Sequence, residues 1–210
     1  MEVSSSSITI NSLFSVSGKN VLITGGSRGI GLMIAKTFVL AGANVLLTSR
    51  SEQACKDATD SIIRDAAAAA TAAAQQNHNL QSSQNPINTR SIRSNQNQNQ
   101  NQNQKVQYVA SNVSNRDGCE ELAKYTAKIF NNKLDILINN AGSSWGEPLE
   151  RTSGKANWGF DKVLDLNIKG VFYLTRACIP LLENAVTSSK DPSRIINIGS
   201  VVGMIPQAGT

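Results

Sequence analysis

Histidine is almost absent from this chain and cysteine is scarce, with one His and three Cys in 210 residues. His78 lies in a polar tract without partners, and Cys55, Cys119 and Cys178 lack the short spacings of a metal or redox centre. No metal site is therefore expected. Without a disulfide framework the chain reads as a reduced, intracellular protein. Aromatics make up only 5% of the residues, and the net charge of +5 is mild. Nothing resembles the basic stripe with interleaved aromatics of a nucleic-acid module, so no nucleic-acid partner is expected. The basic excess instead gives a solvated surface with some attraction for phosphate-bearing ligands. Long apolar runs are missing too. The longest helical stretch, near Val171, is interrupted by Lys169 and Arg176, which argues against a membrane span or a membrane partner. The segment Met1–Ser7 has neither the basic start of a secretory signal nor the arginines of a transit peptide. A cytoplasmic location is the resulting expectation.

The length suits one domain with a real core. Residues 1–17 form a Ser-rich lead-in, read as flexible, and residues 18–210 form the domain. Inside it, residues 66–104 change character: Ala66–Ala74 is nearly pure alanine and Asn95–Gln104 is a strict Asn-Gln alternation. Such a tract buries too little surface to offset ordering entropy, so it is expected to be disordered, its alanine part adding a turn or two to the preceding helix. It links a helix to a strand. In a doubly wound sheet such links lie at the amino ends of the strands, away from the ligand edge.

The remaining sequence alternates apolar strands with helical periodicity, which predicts a parallel sheet with helices on both faces, an α/β doubly wound Rossmann-like fold. Strands are expected at Val21–Thr24, Asn44–Ser49, Lys105–Ala110, within Asp135–Gly142 and at Arg194–Ile198. Helices are expected at Ile30–Leu40, from Ser51 towards Ala66 with Ser51 as N-cap, at Asp117–Phe130, and from about Phe160 to Ala185 with a kink or break at Pro180. Between the first strand and helix stands Thr24-Gly25-Gly26-Ser27-Arg28-Gly29-Ile30-Gly31. Strand, glycine turn and helix form the context of a dinucleotide-binding fingerprint. The turn must reverse tightly, the backbone must approach a pyrophosphate, and the helix start must offer free N–H groups. Gly25, Gly29 and Gly31 meet these demands, although ordinary strand-to-helix turns also use glycine. No Gly-Lys-Ser/Thr follows, so a Walker-type phosphate loop is excluded.

A second motif, Asp135-Ile136-Leu137-Ile138-Asn139-Asn140-Ala141-Gly142, ends a strand in Asn-Asn-Ala-Gly. Together with the glycine turn it resembles the short-chain dehydrogenase/reductase family. Asp165–Gly170 is similar to the family's helix carrying an active-site Asn, and Arg194–Ser200 to the strand ending at its active-site Ser. Arg28 stands where the family's extended epimerase branch wants a glycine. The resemblance runs from about Phe14 to Thr210 apart from the inserted tract. Ser144–Pro148 and the Trp158–Leu174 stretch look most like fungal reductases related to 3-oxoacyl reductases.

The resemblance implies NADP(H) as cofactor and a small-molecule carbonyl or alcohol as substrate. Thr24, Gly25, Ser27, Arg28, Gly29, Ile30 and Gly31 would line the phosphates. At the end of the second strand, where an NAD enzyme carries an acid, Thr48-Ser49-Arg50 has none, so Ser49, Arg50 and Arg28 favour a 2′-phosphate. Asn112 and Val113 would meet the adenine, and Asn140, Ala141 and Gly142 the ribose. Asn139 is expected to tie adjacent strands together. Asn167 would hold a water in the proton relay, and Ser200 would hydrogen-bond the substrate carbonyl.

The family's proton-donating Tyr and the Lys four residues after it have no counterpart in Val201–Thr210. Proton delivery must accompany hydride transfer to a carbonyl, so the chain is expected to be incomplete after the fifth strand, exposing an apolar face and an unpaired strand edge. Two readings follow: an incomplete carbonyl reductase, forming homo-oligomers only as a full-length chain, or a non-catalytic NADP(H)-binding remnant. A third, weaker one makes the low-complexity tract an interaction segment.

Overall fold

In a computed structural model the described residues are 14–82, 105–146, 148, 150–152, 158–189 and 191–201. Residues 1–13 of the lead-in, the Asn-Gln alternation and residues 202–210 lie outside them. The elements run β1 (Asn20–Thr24), α1 (Gly29–Leu40), β2 (Asn44–Ser49), α2 (Glu52–Ser82), β3 (Val106–Ala110), α3 (Arg116–Ile129) and β4 (Ile136–Asn139). Then come α4 (Trp158–Leu164), a π-helical segment (Asp165–Gly170), α5 (Val171–Ala185) and β5 (Arg194–Asn197). The sheet order is β3-β2-β1-β4-β5, every neighbouring pair parallel. The doubly wound expectation holds. The order reverses between β1 and β4, which opens the crevice where such sheets take ligands.

Alternation along the strands divides the core into two layers. Val21, Ile23, Val45, Leu47, Ile136 and Ile138 face Ala35 and Val39 of α1 and Cys55, Ala58 and Ile62 of α2. Leu22, Leu46 and Leu137 face Leu122 of α3 and Leu174, Cys178 and Leu182 of α5. These side chains are buried on both faces of the central strands, as a parallel sheet requires. All three cysteines are buried free thiols. Burial pushes the Cys119 thiol up to about 11 and the Cys178 thiol up to about 12, so these two pack as small apolar groups.

Three expectations need correction. The alanine tract was expected to lose order within a turn or two of Ala66, yet α2 continues to Ser82. Alanine is the strongest helix former, and the anchored first half of α2 supplies the nucleus from which it propagates. Pro180 was expected to kink or break its helix; it lies inside α5, so the helix is not broken there. Its site is exposed, and buried Cys178, Leu181 and Leu182 on either side hold the helix to the sheet. The stretch from Phe160 to Ala185 is not one α-helix either, because a π-helical segment separates α4 from α5.

On its outer side β5 has no strand partner among the described residues, and all four of its residues are exposed. Ile195, Ile196 and Ile198 are 45%, 38% and 38% exposed. An apolar face and an open edge therefore stand at this side of the sheet.

The amino ends of the strands are tied by one ionic cluster. Lys19 Nζ donates to Asp135 at 2.9 Å and to Asp191, while Asp135 also accepts from the Asn20 N–H at 2.9 Å. The bond to Lys19 holds the Asp191 carboxyl below its ordinary 3.8. The same bond, opposed by partial desolvation, raises Lys19 above 10.5. A lowered acid adds stability above its unfolded pKa and loses it as pH falls through the folded value; a raised lysine does so below its unfolded pKa and loses it as pH rises. Solvent screening keeps the sum small, about 0.5 kcal/mol or less, because the Asp191 side chain is 40% exposed. Asp191→Asn should lower the melting temperature slightly near neutral pH. Thermal melts across pH should show that gap closing below about 3.8 and above about 10.5.

Candidate functional site

The glycine turn is built by close approach. Gly25 (φ +66°) and Gly29 (φ +54°) occupy the left-handed region, which side chains other than glycine's resist. At Gly31 a Cβ would lie 2.2 Å from the Gly25 carbonyl oxygen and 2.5 Å from Asn140 Nδ2. The first turn of α1 is thus pressed against both the glycine turn and the end of β4. Arg28 caps α1 in an extended conformation with no side-chain cap bond, and the first turn carries no acid. Its leading N–H groups and the positive end of the helix dipole are left for an anion.

The end of β4 is locked onto this turn. The Thr24 hydroxyl accepts from the Asn140 and Ala141 N–H groups, each at 3.0 Å, and points its own proton at the Ile138 carbonyl at 3.4 Å. Asn140 Nδ2 donates to the Thr24 carbonyl at 2.9 Å and the Gly25 carbonyl at 3.2 Å. Thr24 is buried and belongs to the lock, not to the residues that face the crevice. Asn139 Nδ2 donates to Asn197 Oδ1 at 2.9 Å and Thr175 Oγ1 at 3.2 Å, so it ties β4 to β5 and α5 as the sequence suggested.

A cavity of about 760 Å³ opens above this lock, within the size range of ligand pockets. Among the expected residues, Gly25, Ser27, Arg28, Gly29, Ile30, Gly31, Ser49, Arg50, Asn112, Val113, Asn140, Ala141 and Gly142 line it. They come from the carboxyl ends of β1, β2, β3 and β4 and the start of α1, which the topology alone brings together. Asn112 Oδ1 accepts from the Ser114 N–H at 3.2 Å and the Ser114 hydroxyl at 2.8 Å, shaping the turn after β3. The charged lining comprises Arg28, Arg50, Lys162 and Asp165. Asp165 accepts from Lys169 Nζ at 2.8 Å, and that bond raises the Lys169 pKa. Cations outnumber acids, and the acid is already paired, so the field favours an anionic ligand.

Asn167 and Ser200 are not in this lining. Asn167 Oδ1 accepts from the Ser143 N–H at 3.0 Å and its Nδ2 donates to the Ser143 carbonyl at 2.8 Å. Its amide thus clamps the loop after β4. The π-helical segment sets this clamp. Its last residue, Gly170, approaches the Val113 carbonyl so closely that a Cβ would lie 2.2 Å from that oxygen. The Cys119 thiol donates to the Val113 carbonyl at 3.4 Å and the Gly170 carbonyl at 3.7 Å. Ser200 follows β5 at the carboxyl edge and is exposed.

Sequence reasoning missed several lining residues: Thr48, Ser143, Ser144, Trp145, Gly159, Lys162, Val163, Asp165 and Leu166 among them. Trp145 and Gly159 meet face to face. A Cβ on Gly159 would lie 2.0 Å from the Trp145 ring, so the loop indole lies directly on the first turn of α4. A Trp and a Gly this far apart carry no local signal of such a contact.

The fold and site define a class. The chain matches the short chain dehydrogenase family over residues 19–89 and 66–210, and it belongs to that family. It is 32% identical over 191 residues to the rhamnolipids biosynthesis 3-oxoacyl-[acyl-carrier-protein] reductase of Pseudomonas aeruginosa, covering 91% of this chain and 58% of that one. It is 30% identical over 192 residues to the NADP-dependent 3-hydroxy acid dehydrogenase YdfG of Escherichia coli K12, covering 90% and 57%. Among solved structures it is similar to the Pseudomonas aeruginosa RhlG/NADP active-site complex, with 32% identity, a TM-score of 0.67 and coverage of 93% of this chain and 60% of that one. A metagenomic short-chain oxidoreductase in complex with NADP superposes with a TM-score of 0.64 at 25% identity, covering 93% and 68%. The chain thus spans little more than half the length of the curated relatives it matches.

The Ser143 clamp makes a direct prediction. Asn167→Asp removes the donor to the Ser143 carbonyl and should cost about 1–2 kcal/mol of stability, read from urea denaturation midpoints at pH 7. Midpoints equal to wild type would show that the clamp carries no weight.

Proposed function

We propose that this domain binds NADP(H) and serves an oxidoreductase that interconverts a carbonyl and an alcohol. The observation that carries the reading is the cavity over the β1–β4 crevice, with a helix start free of acids beneath it and Arg28 and Arg50 in its wall. The residues fit the cofactor. The exposed N–H groups of α1 suit a pyrophosphate. Arg28 and Arg50, with no acid at the end of β2, suit a 2′-phosphate in place of a bare ribose hydroxyl. We assign Asn112 and Val113 to the adenine and Asn140 to Gly142 to a ribose, all of them residues of the cavity lining. NADP complexes among similar structures support the same assignment.

When bound, the nicotinamide supplies or accepts a hydride. This chain's part is to hold and orient that ring and to place a hydrogen-bond donor beside the carbonyl. We assign the donor to Ser200, at the carboxyl edge after β5. Asn167 acts one step removed, fixing the Ser143 backbone in the cavity wall. Similarity to the 3-oxoacyl reductase and the 3-hydroxy acid dehydrogenase suggests a 3-oxo or 3-hydroxy acid or thioester as substrate. A second reading, NADP(H) binding without turnover, is favoured by Ser200 lying outside the cavity lining among the described residues.

Fluorescence titration of the purified chain with NADPH and NADH tests the binding reading. NADPH should bind at least about tenfold more tightly. Arg50→Ala should weaken NADPH about tenfold or more, as expected for loss of a charge-assisted bond, and leave NADH unchanged. Equal affinity for the two cofactors, or none for either, would refute the assignment.

A further inference from the structure

A second groove lies between α3 and α5, on the face of the sheet opposite α1 and α2. Its volume is about 440 Å³, and it shares no lining residue with the larger cavity. The floor is made of small side chains, Ala123 and Ala127 from α3 and Ala177 from α5, with Leu181 beside them. Alanines at a helix–helix seam leave a furrow into which the side chains of a third helix can fit.

The rim is cationic. Arg116, Lys124 and Arg176 face a single acid, Glu120, an excess of two positive charges. Glu120 Oε1 accepts from Arg116 Nε at 2.7 Å. That bond, followed by the charges of Arg116, Lys124 and Arg176, holds the Glu120 carboxyl below its ordinary 4.5. Lys124 and Arg176 themselves make no ion pair among the described residues. Asp117 and Glu121, the other acids of α3, do not line the groove. Arg116, Glu120, Ala123 and Ala127 recur every three or four residues, a stripe of about three turns and about 16 Å. A groove this long, apolar at the floor and cationic at the rim, matches an amphipathic helix whose apolar stripe is flanked by acids. This chain is not the occupant. Its net charge is +5, so two copies repel. Residues 1–13 contain one acid, and residues 83–104 and 202–210 contain none.

We propose that the α3–α5 groove docks an acidic amphipathic helix of a partner protein, its apolar side chains on the alanine floor and its carboxylates against Lys124 and Arg176. This surface is separate from the dinucleotide site, and its use is independent of the NADP(H) reading. Fluorescence anisotropy on the full 210-residue chain tests it. The probe is a fluorescein-labelled peptide of about 15 residues with Leu along one helical face and Glu elsewhere, stapled because so short a helix is marginal alone. It should bind, and about tenfold more weakly at about 300 mM salt than at about 50 mM. The same peptide with Lys for Glu should bind at least about tenfold more weakly.

Lys124→Glu and Arg176→Glu should each weaken the acidic peptide about tenfold and strengthen the basic one, a reversal that an unfolded variant would not show. Lys128→Glu, an exposed change on α3 outside the groove, should leave both affinities within about twofold of wild type. An acidic peptide that fails to bind would overturn the proposal. So would a Lys128→Glu effect as large as that of Arg176→Glu, or equal binding of a scrambled peptide with its leucines off one face, because net charge alone would then explain the attraction. A free chain that sediments as a dimer, dissolved by Arg176→Glu, would give the groove to a second copy and also overturn it. Displacement of the peptide by dodecanoate at similar affinity would give the groove to a small amphiphile, with the same consequence.

Discussion

The site depends on the junction between the ends of β1 and β4. One buried hydroxyl, that of Thr24, takes two successive backbone N–H groups from β4, and the Asn140 amide returns two bonds to the glycine turn. These bonds fix the two strand ends where the sheet order reverses, in a buried region where an unmade hydrogen bond is expensive. The start of α1 is then pressed into the same junction, with no room for a side chain at Gly31. Turn, helix start and strand end consequently move as one body. In the proposed complex a pyrophosphate at this edge would meet N–H groups already aimed, so little ordering entropy would be lost on binding.

A second set of contacts closes the far side of the crevice. The π-helical segment between α4 and α5 is held at Gly170 against the Val113 carbonyl, and its Asn167 grips the Ser143 backbone. Short π-helical insertions often mark functional positions because they re-aim a side chain that a regular helix would point elsewhere. Here the insertion lets one helix brace both the loop after β3 and the loop after β4. Trp145, lying on Gly159, extends that brace to the start of α4.

Much of the fold was legible because parallel strands, buried on both faces, read as continuous apolar runs, and Val21–Ile23, Val45–Leu47 and Ile136–Ile138 are such runs. The glycine turn was legible because positive φ and close approach leave few residues acceptable at Gly25, Gly29 and Gly31. Asn139 was read correctly as a strand tie. Other features were hidden. Local rules place Thr24 and Asn167 near a ligand but cannot say whether their polar atoms face it or the backbone, and both bond to backbone, Thr24 from a buried position and Asn167 from an exposed one. The length of α2 was underestimated because low complexity suggested disorder, while helix propensity favoured continuation from an anchored start. Trp145, Gly159 and Lys162 reach the cavity only through tertiary contacts that no short window of sequence contains.

The central claim is that the glycine turn and the ends of β1 to β4 form one dinucleotide site. Backbone amide NMR spectra of the isotopically labelled chain, recorded with and without NADPH, test it most directly. The largest shifts should fall on the amides of Gly25, Ser27, Gly29, Ile30 and Gly31 and on the Arg50, Val113 and Ala141 amides, while the amides of α3 and the far half of α5 stay in place. Shifts concentrated on α3 and α5, or spectra that NADPH leaves unchanged, would contradict it.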